Sequence, residues 1–153
     1  MRVNWKKLLI CIAIPLAVGG LASALSGGMG EAYQSYIRPP LSPPSWLFPV
    51  VWTILYALMG YASYLVAEAP GENQKALRLY AVQLALNFLW PIIFFRFEWV
   101  GIALLVLIAL WITVLLTIRA FSQVSERAGD LLIPYILWLT FALYLNFGIF
   151  LLN

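Results

Sequence analysis

Five continuous apolar runs, each long enough to cross a bilayer, constrain this chain more than any other feature. They fall at about 5–26, 46–67, 76–95, 99–121 and 131–152. Crossing ~30 Å of hydrocarbon takes about 20 helical residues at ~1.5 Å each. Inside hydrocarbon every backbone N–H and C=O must find a partner, which leaves helices or a closed barrel. Barrel strands alternate apolar and polar residues over about ten positions; these runs are unbroken. The pattern therefore predicts an all-α membrane protein. The expected architecture is a single domain over 1–153, a five-transmembrane-helix bundle with a long first loop, 27–45, for which a lid is one of two readings. Composition agrees: 64% of the 153 residues are hydrophobic and 10% charged, against about 45–50% and about 25% in soluble domains.

The same composition excludes much chemistry. Histidine is absent and Cys11 is the single cysteine. Ser-His-Asp and Cys-His nucleophile pairs are therefore impossible, and so are an intrachain disulfide, a cysteine or histidine zinc site and a proximal-histidine haem. No metal site and no required cofactor are expected. Nine basic residues against six acidic ones give a net charge of +3, too little for a nucleic-acid-binding stripe. No ionisable residue lies at the centre of any run, which argues against a proton- or sodium-coupled transporter. Seven Trp, eight Tyr and nine Phe favour binding of flat apolar molecules instead.

Basic residues set the orientation. Arg2, Lys6, Lys7, Lys75, Arg78, Arg119 and Arg127 lie on the N-terminal side, and Arg38 and Arg96 on the other. If the membrane is a bacterial plasma membrane, this places the N-terminus in the cytoplasm and the C-terminus outside. The first run resembles a signal peptide, with Ala22-Ser23-Ala24 as a cleavage site. However, its apolar core from Leu8 to Leu25 exceeds the usual ~7–15 residues. Gly19, Ser23 and Gly27, four apart, suit close helix packing, so the run is read as a retained span. Trp5, Trp46, Trp99 and Tyr135 near run ends form an aromatic belt.

The loop 27–45 holds Gly27, Gly28 and Gly30, then Pro39, Pro40, Pro43 and Pro44. Glycines let the chain turn, and prolines stiffen it and disfavour helix. Tyr33, Tyr36, Ile37 and Leu41 are too apolar for a loop in water. A rigid lid over the bundle mouth and a segment lying on the headgroups both fit this composition.

Helical spacing groups neutral polar and aromatic residues on shared faces. One stripe is Pro49, Trp52, Tyr56, Gly60 and Ser63. A second is Gln83, Asn87, Trp90 and Phe94. A third is Tyr135, Trp138, Ala142 and Asn146. Amides in hydrocarbon must be bonded, so Gln83, Asn87 and Asn146 face protein or a cavity. They fit equally as structural glue between helices and as orienting groups in a ligand pocket with aromatic walls. Pro91 removes an amide donor and should kink the third span.

These residues resemble the translocator protein family, also known as the tryptophan-rich sensory protein or peripheral-type benzodiazepine receptor family. The matching stretches begin with Pro43-Pro44-Ser45-Trp46, Pro49-x-x-Trp52-x-x-Leu55-Tyr56 and Met59-Gly60-Tyr61-Ala62-Ser63-Tyr64. They continue with Gln83-Leu84-Ala85-Leu86-Asn87, Trp90-Pro91 and Ile93-Phe94-Phe95. The last are Pro134-Tyr135-x-x-Trp138-x-x-Phe141-Ala142 and Leu145-Asn146. With Tyr33 they cover about residues 33–147.

The resemblance implies a homodimeric five-helix bundle whose pocket is closed by the first loop. It implies binding of porphyrins, protoporphyrin IX among them, and of isoquinoline carboxamides and benzodiazepines. Carried over residue by residue, the pocket maps onto Tyr33, Trp52, Asn87, Trp90, Trp138, Ala142 and Asn146, and Gln83 joins them as the other amide of its stripe. Light-dependent oxidative breakdown of protoporphyrin, ascribed to some members, would use Trp52 and Trp138. Two departures stand out. Ala32-Tyr33 replaces the Trp-Tyr of many members. The last helix, reading Leu145-Asn146-Phe147-Gly148-Ile149-Phe150-Leu151, lacks the tyrosine and basic residue of the animal cholesterol motif.

Overall fold

The computed structural model describes residues 2–27 and 29–153; Gly28, counted above among the loop glycines, lies outside them. Among the described residues five helices are long and apolar enough to cross a membrane. The chain runs α1 (Trp5–Leu25), α2 (Met29–Ser35), α3 (Leu47–Glu68), α4 (Gln74–Pro91), a π turn (Ile92–Arg96), α5 (Val100–Val124), α6 (Glu126–Leu131) and α7 (Ile133–Leu152). The fifth span is composite: α6 and α7 together cover Glu126–Leu152, and Pro134 opens the second piece, where its missing N–H is harmless.

Local chemistry sets the helix ends. The Asn4 side chain accepts from the Lys7 N–H at 3.2 Å, and the Ser125 side chain accepts from the Ala128 N–H at 3.4 Å, as N-caps do. The Asn73 amide donates to the Val66 carbonyl at 2.8 Å and closes the end of α3. At the end away from the first loop, Lys7 pairs with Glu68 at 2.7 Å, and the Asn4 N–H reaches the Tyr64 hydroxyl at 2.9 Å. Helix α4 ends at Pro91, but the span continues to Arg96. The chain passes into the wider π turn, where the Phe97 N–H reaches the Ile92 carbonyl at 3.2 Å. Wide turns of this kind absorb a lost donor inside a helix.

Close approach of backbones fixes the α1–α3 pair. A Cβ built on Gly60 would lie 2.6 Å from the Ile12 Cα and 2.7 Å from the Cys11 carbonyl oxygen. One built on Gly19 would fall on the Tyr56 ring. The core runs down the middle of the bundle through Met59, Leu107, Leu110, Val114, Phe121 and Leu139, all fully buried. Apolar side chains such as Ile54, Leu105, Ile112 and Leu137 cover the outside, the inverse of a water-soluble bundle.

The loop carries a short helix, α2, that its composition did not announce. It is fastened over one end of the bundle rather than spread away from it. Tyr33 is 1% exposed; its ring packs edge-on against Phe48 at 5.0 Å, and its hydroxyl donates to the Pro43 carbonyl at 2.6 Å. The Asn153 side chain accepts from the Ile37 N–H at 3.1 Å and donates to the Ile37 carbonyl at 2.8 Å. Tyr144 donates to the Pro40 carbonyl, and Pro39 fills the space beside Gly148. Tyr36 donates to the Phe94 carbonyl at 3.3 Å. Burial first, and the Glu98 carboxylate second, push its phenol up to about 12, so it keeps its proton and this contact at neutral pH.

Candidate functional site: an aromatic cleft beside a polar seam

A cleft of about 450 Å³ opens in the loop-side half of the bundle, between α1, α3 and α4. The stripe spacing of α3 turns Trp52 and Tyr56 toward it, and α4 supplies Asn87 and Trp90 one turn apart. These four form its buried back wall. Trp52 and Tyr56 stack at 5.6 Å with 28° between their planes. On α1 the wall is Leu16, Gly19, Gly20 and Ser23, with Ser45 and Trp46 at the loop end. No charged residue lines the cleft among the described residues.

Behind the wall a polar seam crosses three helices. The Tyr56 hydroxyl donates to Asn87 Oδ1 at 2.8 Å. Asn87 Nδ2 donates to the Tyr135 hydroxyl at 2.7 Å. Tyr135 in turn donates to Gln83 Oε1 at 2.6 Å, and Gln83 Nε2 faces Met59 Sδ at 3.9 Å. A second joint lies nearer the loop, where Trp90 Nε1 donates to Asn146 Oδ1 at 3.0 Å and Asn146 Nδ2 to the Val100 carbonyl at 3.1 Å. All three amides therefore bond across helices, as glue requires. Asn87 does so while bordering the cleft, and each bonded amide oxygen keeps a lone pair for a further donor.

The structure sorts the site residues named from sequence into groups. Trp52, Asn87 and Trp90 meet at the cleft. Tyr33, Ala142 and Asn146 lie across a partition made by the rings of Phe48, Trp90 and Phe95, around a crevice of only about 10 Å³. Gln83 lies deeper, in the seam. Trp138 stands behind Trp52, ring centroids 6.4 Å apart at 87°, and borders a shallow groove between α3 and α7. Its indole N–H is buried without a hydrogen-bond partner among the described residues. Sequence reasoning did not single out Phe48, whose ring divides the two spaces. It placed Tyr56 on a stripe without a role and counted Tyr135 in the aromatic belt, yet Tyr135 is buried and both are joints of the seam.

These features define a class: a five-span helical membrane protein with an aromatic, uncharged cavity between its helices. The sequence pattern of the TspO/MBR family matches residues 11–152. The chain is 40% identical over 153 residues to the tryptophan-rich protein TspO of Chlorobaculum tepidum, covering 95% of each chain. It is 38% identical to the tryptophan-rich sensory protein of Cereibacter sphaeroides, over 100% of this chain and 95% of that one. It is 40% identical to the translocator protein of Bos taurus, over 96% and 90%. The chain belongs to the TspO/MBR family.

Proposed function

We propose that this protein is a membrane receptor or carrier for porphyrins, protoporphyrin IX foremost, and for other flat apolar ligands. What carries the reading is the wall of Trp52, Tyr56 and Trp90 around a cavity of about 450 Å³. Flat π systems stack on such rings, and Asn87 at the wall supplies an orienting polar group. Isoquinoline carboxamides and benzodiazepines share the same flat aromatic chemistry. The names of the relatives, a sensory protein and a translocator protein, support ligand recognition in a membrane.

Titration of the purified protein with protoporphyrin IX, read by tryptophan quenching, tests this. Trp52→Phe keeps a ring but loses the indole, so binding should weaken by about 0.5–1.5 kcal/mol. Trp99→Phe, at an exposed ring stacked on Phe97, should change nothing. Equal affinities in all three proteins would remove Trp52 from the site.

A second reading, light-dependent oxidative degradation of protoporphyrin IX with dioxygen as oxidant, is favoured by the Trp52–Trp138 pair. A photoexcited pigment at the cleft would take an electron from Trp52 and pass it to dioxygen as superoxide. The tryptophan radical cation, shared with Trp138 one ring behind, would recover its electron from the pigment. Superoxide would then add to the pigment radical cation, a net addition of dioxygen. Trp138→Phe should then depress light-driven pigment loss far more than binding. Parallel losses would make Trp138 a packing ring only.

The same proposal places the protein as a homodimer in a bacterial plasma membrane, N-terminus cytoplasmic and C-terminus outside. The basic residues support this orientation. With Cys11→Ser as background, Asn153→Cys should react with a membrane-impermeant thiol reagent added to intact cells. Reaction only after lysis would invert the topology.

A further inference from the structure

The loop end of the bundle is shut, and the side is open. Asn153 holds both backbone groups of Ile37, Tyr144 holds Pro40, and Pro39 fills the space at Gly148. Tyr33 is tied to Pro43 and buried on Phe48. A ligand arriving between the loop and α7 would have to break these contacts. Between α1 and α3, by contrast, the cleft reaches the surface of the bundle. Its banks are the exposed Leu16, Gly20 and Ser23 on α1 and Pro49 and Thr53 on α3. The Thr53 hydroxyl donates to the Pro49 carbonyl at 2.6 Å, so that bank offers little free polarity.

Two neighbouring glycines show how the gap is made. Gly19 meets Tyr56 so closely that a Cβ there would overlap the ring. That contact, with the Gly60–Ile12 approach, closes the α1–α3 seam below the cleft. A Cβ at Gly20 would meet nothing within 4 Å. Glycine weakens a helix relative to alanine, and at Gly20 no packing contact requires it. What its bare backbone does is leave the bank low.

We propose that flat, uncharged-faced ring molecules dissolved in the bilayer reach the tryptophan wall sideways, through the α1–α3 gap, with Gly20 as its sill. This rests on the ligand-binding reading above and adds the route. The cleft's lining is mainly aromatic and aliphatic, with Ser23, Ser45, Thr53 and Asn87 as its neutral polar groups and no charged residue among the described ones. The passage therefore suits a ring system that presents its faces to hydrocarbon.

The test uses the full chain in vesicles, with protoporphyrin IX delivered from the bilayer and tryptophan quenching followed by stopped flow. Gly20→Phe fills the gap from a position with free space. It should slow association and release alike, by about tenfold or more. Asn153→Ala and Tyr144→Phe, which loosen the loop, should leave both rates within about twofold. Faster exchange in the loop variants, with Gly20→Phe unchanged, would move the entrance to the loop. Faster release from Gly20→Phe with unchanged association would make the gap part of the resting site and overturn its role as a passage. Pyrene, read by energy transfer from tryptophan, separates this inference from the porphyrin reading. No response to protoporphyrin IX, with a pyrene signal that Gly20→Phe slows, would remove the porphyrin and keep the entrance. Pyrene exchange equal in both proteins would remove the entrance.

Discussion

Tyr135→Phe should be among the most damaging single-atom deletions in this protein. It removes one oxygen and almost no volume, yet that oxygen accepts from Asn87 at 2.7 Å and donates to Gln83 at 2.6 Å. Each buried group left unpaired costs about 1–3 kcal/mol, so the two together predict a loss of about 2–6 kcal/mol. Thermal unfolding in detergent, followed by tryptophan fluorescence, measures it. Replacing both partners by apolar groups is far cheaper than stranding one. Adding Gln83→Leu to Tyr135→Phe should therefore recover part of the loss. A double variant worse than the sum of the singles would mean the seam does not act as a hydrogen-bonded unit.

The other large effect lies at Gly60. Alanine in place of a helical glycine ordinarily helps by about 0.5–1 kcal/mol. Here the added carbon would lie 2.6 Å from the Ile12 Cα, and backbone cannot swing aside as a side chain can. Gly60→Ala should therefore destabilise despite its propensity. Gly60→Val, with two more methyl groups, should cost about 3 kcal/mol or more, the upper range for overpacking. Gly20→Ala, on the same helix pair but facing space, should be neutral or stabilising. A melting point for Gly60→Ala at or above that of the parent would refute the close α1–α3 approach.

How far the sequence alone reaches can be judged residue by residue. The spans were legible because hydrocarbon demands long apolar runs, and nothing in a short chain imitates five of them. The facing stripes were legible because a helix repeats every ~3.6 residues. Tyr135 shows where this stops. Its place near the start of the last apolar run suggested a ring at the membrane interface. The span begins earlier, at Glu126, because α6 is too polar to read as part of it, so Tyr135 falls inside the bundle. Phe48 shows a second limit. Periodicity tells which face a ring occupies, not which rings from other helices it separates. The resemblance grouped Trp52 with Ala142 and Asn146, and the rings of Phe48, Trp90 and Phe95 part them. In the loop, α2 follows glycines and precedes prolines, and composition averaged over the segment hid it.

The seam from Tyr56 to Met59 has one further property. Each donor points the same way: Tyr56 to Asn87, Asn87 to Tyr135, Tyr135 to Gln83, Gln83 to Met59. A file of hydrogen bonds inside a membrane has the look of a proton wire, but two of its links are amides. An amide hands a proton on only by passing through its imidic-acid tautomer, a much less stable form, and the thioether at the end holds no proton to give. The seam is thus an electrical insulator made of polar parts. It lets the bundle keep hydrogen-bonding groups beside its cavity without giving protons a path through the bundle.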